Sequence, residues 1–257
     1  MISDGDFIRL SYTAKLEDGT IVDTTDEEVA KEHGIYNENA RYGDIYAVIG
    51  KRHILPGLEE DIKGKEVGYK GTVEIPPEKA FGEYNPELKD TFSITRFKEK
   101  PEIGQRVRIG DRIGTVERIV GRRVIVDFNH PLAGKKIIFE YKIKEKLEKP
   151  EDKIKALFVI HTGIDVKDVK FEGKRAIVEV SSDVYLNQLF LIGRYRAVKE
   201  IFEATDIKEI EIVERFEKEQ ELLKLGDVLK EIEKEEASEE GREESESEEK
   251  EESKEEA

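Results

Sequence analysis

The sequence predicts an α+β fold, an antiparallel β-sheet wrapped on a short helix. Three observations predict it. Short polar–apolar alternations recur between Asp6 and Ile143, short helical segments interrupt them, and a later stretch runs in the order α-β-β-α-β.

Asp6 to Leu16 alternates around Phe7, Ile8, Leu10 and Tyr12, the period of a half-buried strand. Asp18-Gly19 supplies a turn, Ile21-Val22 opens a second strand, and Asp26 to His33 reads as a helix closed by Gly34. Further strands are expected at Tyr46–Ile49, Lys70–Ile75 and Lys136–Ile143, with the short helix between Leu55 and Ile62. Residues 84–129 differ in texture. Ile109-Gly110-Asp111-Arg112-Ile113 and Val120-Gly121-Arg122-Arg123-Val124 each read as a hairpin turn between β-rich arms. A small β domain inserted into a larger one follows, the larger being 1–83 with 130–148.

Pro150 is placed to start a helix with Ile154, Leu157, Phe158 and His161 on one face and Gly163 at its end. Strands at Val169–Phe171 and Ala176–Val180 flank the turn Glu172-Gly173-Lys174. Ser182 or Asp183 is positioned to cap an amphipathic helix running to about Ala204, and Ile207–Val213 reads as the last strand. Residues 151–216 thus form a C-terminal α/β domain, with a charged helix and a disordered acidic tail over 217–257.

Charged residues make up 40% of the chain and hydrophobic ones 37%, polar for a globular protein yet richer in apolar residues than a wholly disordered one. The net charge is −16, but fifteen Glu against four Lys or Arg place −11 of it in residues 231–257, leaving −5 for the rest. A body so nearly neutral disfavours general nucleic-acid binding. There is no cysteine, which excludes disulfide scaffolds, zinc ribbons and thiol nucleophiles. The longest strictly apolar run, Ala156–Ile160, is far too short to span a membrane, and Met1-Ile2-Ser3-Asp4-Gly5-Asp6 has no signal-peptide character. A cytoplasmic location is expected. Cys, Met, Asn and Gln number nine together, a scarcity that points to a thermophile.

The four histidines, His33, His53, His130 and His161, are scattered without metal-ligand spacing, and no glycine-rich segment fits a phosphate loop. Apolar and aromatic residues cluster near glycine turns, with Asp23 reading as a buried acid among them.

Leu16-Glu17-Asp18-Gly19-Thr20-Ile21-Val22-Asp23-Thr24-Thr25 resembles the second-strand motif of FKBP-type peptidyl-prolyl isomerases. Ile49-Gly50 with Ile54-Leu55-Pro56-Gly57-Leu58-Glu59 resembles their loop and short helix, and Pro76-Pro77-Glu78-Lys79-Ala80-Phe81-Gly82 their proline-rich turn. Asn129-His130-Pro131-Leu132-Ala133-Gly134, followed by Phe139, resembles the return from the inserted chaperone domain of SlyD-like and archaeal members. The resemblance covers 6–146; the C-terminal domain is similar in position and length to the long archaeal class.

This resemblance implies a peptidyl-prolyl cis-trans isomerase and folding chaperone. Its catalytic residues would be Tyr12, Asp23, Ile54, Leu55, Phe81 and Phe139, with Val22, Ile45, Leu58, His130 and Leu132 binding substrate. Phe92, Ile94, Phe97, Val107 and Ile109 would form the chaperone surface. Leu58 makes the pocket floor less aromatic than a tryptophan would, and Phe81 lacks a tyrosine's hydroxyl. No cofactor or metal is implied, and a tail without histidine lacks the nickel-binding tail of SlyD-like members. The expected partners are unfolded or nascent proline-containing polypeptides and a second copy of the chain through 151–216, with no membrane. Two other readings stay open: a holdase with a weak or vestigial isomerase site, and a ribosome- or RNA-associated factor. The latter draws on Arg106, Arg108, Arg112, Arg118, Arg122 and Arg123, but the C-terminal domain lacks a Gly-x-x-Gly clamp.

Overall fold

A computed structural model describes residues 1–182, 184 and 187–216. Among the described residues two units emerge, 1–165 with 188–208, and 166–187 with 209–216.

The first unit is organised by a five-stranded antiparallel sheet. β1 (Phe7–Lys15) pairs along its length with β9 (Ile137–Leu147), and β4 (Lys70–Ile75) lies on the far side of β9. The other edge of β1 is shared by β2 (Ile21–Thr24) and β3 (Ile45–Val48). Residues opposite one another across β1 and β9 share a face, and the register pairs Leu10 with Ile143, Tyr12 with Tyr141 and Ala14 with Phe139. All of these but Tyr12 are buried.

α2 (Pro56–Ile62) contributes Leu58 and Ile62 to the same core. Its proline sits in the first turn, where a missing N–H costs no helical hydrogen bond. Gly57 is set by close approach: a Cβ there would fall 2.4 Å from Ile75 Cγ2. α1 (Glu27–Glu32) is capped by Asp26, whose carboxylate accepts the Glu28 N–H at 3.0 Å and the Val29 N–H at 3.2 Å.

Between β4 and β9 the chain builds a separate four-stranded antiparallel sheet from β5 (Lys89–Ser93), β6 (Arg106–Ile109), β7 (Arg112–Val120) and β8 (Arg123–Asp127), in the order β5-β8-β7-β6. Gly110 and Gly121 make its hairpin turns with φ of +61° and +57°. At the neck, Asn129 Oδ1 accepts the Asn85 N–H at 2.9 Å while its amide donates to the Asn85 carbonyl at 2.8 Å.

α3 (Pro150–Thr162) ends at Gly163 in the left-handed conformation, φ 70°. It packs against β3 and against α4 (Gln188–Ala204). Glycine is poor in a helix interior, but a Cβ on Gly193 of α4 would stand 2.0 Å from the His161 carbonyl oxygen, so the two helices cross where only glycine fits. In the second unit, β10 (Asp168–Glu172) and β11 (Arg175–Val180) form an antiparallel hairpin, and β12 (Glu209–Glu214) lies parallel to β11.

The elements therefore follow α-β-β-α-β after Pro150, with two boundaries corrected. α4 starts at Gln188, not beside Ser182, because the Val184 and Asn187 N–H groups close tight i→i−3 bonds to Ser181 and Val184 instead of helical ones. The last strand starts at Glu209, since the Thr205 hydroxyl captures the Ile207 N–H at 3.3 Å in a turn. Asp183, Tyr185, Leu186 and the expected charged helix and acidic tail lie outside the described residues. Among the described residues no helix is long and apolar enough to cross a membrane.

Gly193→Ala is expected to destabilise the protein by about 1–3 kcal/mol, the usual cost of overpacking. Denaturant unfolding checks this, with faster hydrogen exchange around Thr162 as its local sign; unchanged stability contradicts it.

Candidate functional site

The core-facing side of the sheet carries an open apolar surface. Phe139 from β9 and Leu58 from α2 are 6% and 1% exposed and form part of the buried cluster. Packed on that cluster, only partly buried, are Tyr12, Val22, Ile45, Ile54, Leu55, Phe81 and Leu132. Nine residues expected from sequence to share a site are thus packed on one cluster by β1, β2, β3, β9, α2 and three connecting segments.

The Tyr12 and Phe139 rings lie 5.3 Å apart at 51°. Tyr12 donates its hydroxyl to Asp23 Oδ2 at 2.6 Å. Burial, then the charge and hydrogen bond of Asp23, hold the Tyr12 phenol above its ordinary value of 10.0. Because the folded value is the higher one, Tyr12 keeps its proton and its bond to Asp23 up to at least that pH. Asp23 itself is exposed, which corrects the expectation of a buried acid. It pairs with Ala14 across the edge of the sheet, where β1 is bulged between Ala14 and Lys15, and it reaches the pocket through Tyr12.

Phe81 is presented by the turn after β4, in which the Gly82 N–H bonds the Pro77 carbonyl at 2.8 Å with Gly82 at φ +82°. The Gly82 carbonyl accepts the Gly134 N–H at 2.8 Å, joining this turn to the segment 129–135. His130 from that segment stacks on Phe81 at 4.4 Å and 2°. Its Nδ1 accepts the Leu132 N–H at 3.2 Å, which fixes the ring.

Phe92, Ile94, Phe97, Val107 and Ile109 do not join this site. They surround a second core of Val116, Val124 and Val126 in the four-stranded sheet and remain only partly buried there. Ile103 beside them is 68% exposed. Several cations of this region are engaged at home: Arg112 pairs with Asp90 and lies 4.0 Å from the Phe128 ring, Lys89 pairs with Glu117, and Arg96 lies over Phe92.

Three features had no sequence signal. Glu59, 7% exposed, accepts the Gly50 and Arg52 N–H groups at 2.8 and 3.2 Å. Asn85 and Asn129 clasp the neck of the inserted sheet. His53 and His161, scattered in sequence, converge on Glu200, with ligand atoms within 4.8 Å of one another. A groove of about 490 Å³ runs along β1, β9 and β4, and its lining includes Ser11, Thr13, Lys70, Thr72, Glu140 and Lys142 beside Tyr12 and Tyr141. Cross-strand pairing puts these six on the opposite face from the apolar site.

A family model described as FKBP-type peptidyl-prolyl cis-trans isomerase matches residues 1–98, and one described as FKBP26_C-terminal matches 150–217. The short-type peptidyl-prolyl cis-trans isomerase of Methanocaldococcus jannaschii is 34% identical over 150 residues, 56% of this chain and 94% of the relative. The FKBP-type peptidyl-prolyl cis-trans isomerase SlyD of Treponema pallidum is 33% identical over 156 residues, 58% and 81%. The FKBP-type 16 kDa peptidyl-prolyl cis-trans isomerase of Escherichia coli is 30% identical over 145 residues, 54% and 89%.

Tyr12→Phe removes the hydroxyl that donates to Asp23 while keeping the ring on Phe139. It is expected to lower prolyl-bond turnover about tenfold or more, the scale of one hydrogen bond to a charged group. A protease-coupled tetrapeptide assay reads this, and turnover equal to the unaltered chain contradicts it.

Proposed function

The chain belongs to the FKBP-type peptidyl-prolyl cis-trans isomerase family, and from that premise we propose that it couples the apolar site to a separate surface that captures unfolded chains. Its activity is cis–trans isomerisation of X-Pro bonds. The observation that carries the coupling is the separation of two apolar surfaces, each on its own core.

Rotation about a prolyl bond meets a barrier of about 18–20 kcal/mol because twisting breaks amide resonance. Uncatalysed exchange therefore takes tens to hundreds of seconds. No covalent step is needed. An apolar pocket disfavours the planar, charge-separated amide relative to the twisted one, so it binds the transition state better than the ground state. In this reading Phe139, Phe81, Leu58 and Ile54 grip the ring. Val22, Ile45, Leu55 and Leu132 wall the pocket, and His130 braces Phe81. Asp23, held by Tyr12, orients the twisting amide and abstracts no proton. The Ile54 N–H donates to the substrate carbonyl.

The inserted sheet serves as the capture surface. A core of three valines leaves Phe92, Ile94, Phe97, Val107 and Ile109 half open, and β5 and β6 are sheet edges able to pair with an extended client. Clients are unfolded or nascent proline-containing polypeptides, and the setting is the cytoplasm. Of the six arginines behind the RNA reading, Arg112 is engaged by Asp90 and by the Phe128 ring.

A second copy of the chain is a further partner. Leu189, Ile192 and Tyr195 of α4 are 67%, 64% and 75% exposed, an apolar face that a dimer through 151–216 would cover. Light scattering at tens of micromolar is expected to give twice the monomer mass; a monomer mass contradicts it.

Replacing 84–129 with a short loop is expected to leave tetrapeptide turnover intact and slow catalysed refolding of a proline-limited protein about tenfold, the loss of a tether. Equal loss of both activities contradicts the two-surface reading.

A further inference from the structure

Ile54 and Leu55 follow a loop, residues 49–53, that joins β3 to α2. From the α2 side, the buried Glu59 carboxylate holds its Gly50 and Arg52 N–H groups. Arg52 has φ +59°, the one positive φ outside glycine among the described residues. Such a backbone persists only where its surroundings impose it.

The loop is also held from α4. Lys51 pairs with Glu203 at 2.7 Å, and His53 Nε2 lies 3.3 Å from Glu200 Oε2. His161 Nε2 from α3 lies 2.6 Å from the same oxygen. Glu200 is 8% exposed, and its other oxygen, Oε1, is buried with no hydrogen-bond partner. A carboxylate is costly in such a place unless the groups around it answer its charge.

The Val48 N–H donates to His53 Nδ1 at 3.1 Å. Neutral His53 therefore carries its proton on Nε2 and donates it to Glu200. With no lone pair at Nε2, His53 is a hydrogen-bond donor here and not a metal ligand, although the three side chains converge closely enough for one.

We propose that Glu200 is a positioning residue of the isomerase: acting through His53, it fixes the loop that presents the Ile54 N–H and the Leu55 side chain to the substrate. A helix far along the chain thereby sets the geometry of the site. The inference rests on the pocket proposed above.

Acid breaks this arrangement in one direction. The groups facing His53 are Glu200 from α4, His161 from α3 and Glu59 from α2. Burial, with His161 adding to it, holds His53 below its ordinary 6.5 against the pull of the two carboxylates. A second proton goes to Nδ1, where it meets the Val48 N–H head on and the orienting bond is lost. Since the folded value lies below the unfolded one, the contribution of neutral His53 is complete above pH 6.5 and disappears as pH falls through the folded value.

The test is kcat and KM of the full chain on a proline tetrapeptide, from about pH 5 to 8, the range in which histidine titrates. At the upper end, Glu200→Ala is expected to lower kcat about fivefold to tenfold with little change in KM, the mark of an interaction made in the transition state. Glu200→Gln, still an acceptor for His53 Nε2–H, should stay within about twofold. Its acid limb should move to lower pH, because the anion that raises His53 is gone. Equal losses in the two variants, or an acid limb unmoved in Glu200→Gln, overturn the proposal, and the latter needs only the Gln variant to fold. Tight 1:1 uptake of Zn²⁺ that His53→Ala abolishes also overturns it. Asp23→Ala in the same assay separates the premises: if it loses turnover while Glu200→Ala does not, the pocket stands and the positioning role falls.

Discussion

The antiparallel pairing of β1 with β9 is the constraint on which the rest depends. A strand shifted by one residue turns every side chain to the opposite face. The register that buries Leu10 against Ile143 also brings Ala14 opposite Phe139 and sets the Tyr12 ring 5.3 Å from the Phe139 ring. The alternate residues, Ser11, Thr13, Glu140 and Lys142, are thereby sent to the other face, where they line a groove. One register thus decides which side is core and pocket and which side is wet.

The pocket has no floor of its own. Leu58 and Phe139 belong to the buried cluster and at the same time carry the half-open ring of Tyr12, Val22, Ile45, Ile54, Leu55, Phe81 and Leu132. If the pocket is the one proposed, stability and turnover share atoms at those two positions, and truncating Phe139 is expected to cost both. The inserted sheet is built the other way. Its three buried valines leave its aromatic residues partly exposed, and Asn85 and Asn129 clasp its neck.

The strands were legible because one-sided burial writes a period of two into the chain, as in Phe7 to Tyr12, and the hairpins because Gly110 and Gly121 supply the positive φ their turns need. α2 was legible from Pro56 and its apolar face. Elsewhere tertiary structure overrode the local pattern. The apolar residues before Gln188 continue a helical period, yet the backbone there closes tighter turns. Asp23 sits among apolar neighbours in sequence, but its place beside a bulge at the sheet edge leaves it exposed and tied to the pocket by Tyr12. The His53–Glu200–His161 cluster could not be read at all. Its members come from a loop and two helices, and only the crossing of α3 and α4 at Gly193 brings them together.

The central claim, that proline bonds turn over on the apolar face beneath α2, is tested most directly by amide NMR of the full chain titrated with a proline tetrapeptide. The account predicts shifts at Tyr12, Asp23, Ile54, Leu55, Phe81, His130 and Phe139, with Phe92, Val107 and Ile109 unmoved. Shifts concentrated instead along the groove, at Ser11, Thr13, Lys70, Thr72, Glu140 and Lys142, would contradict it.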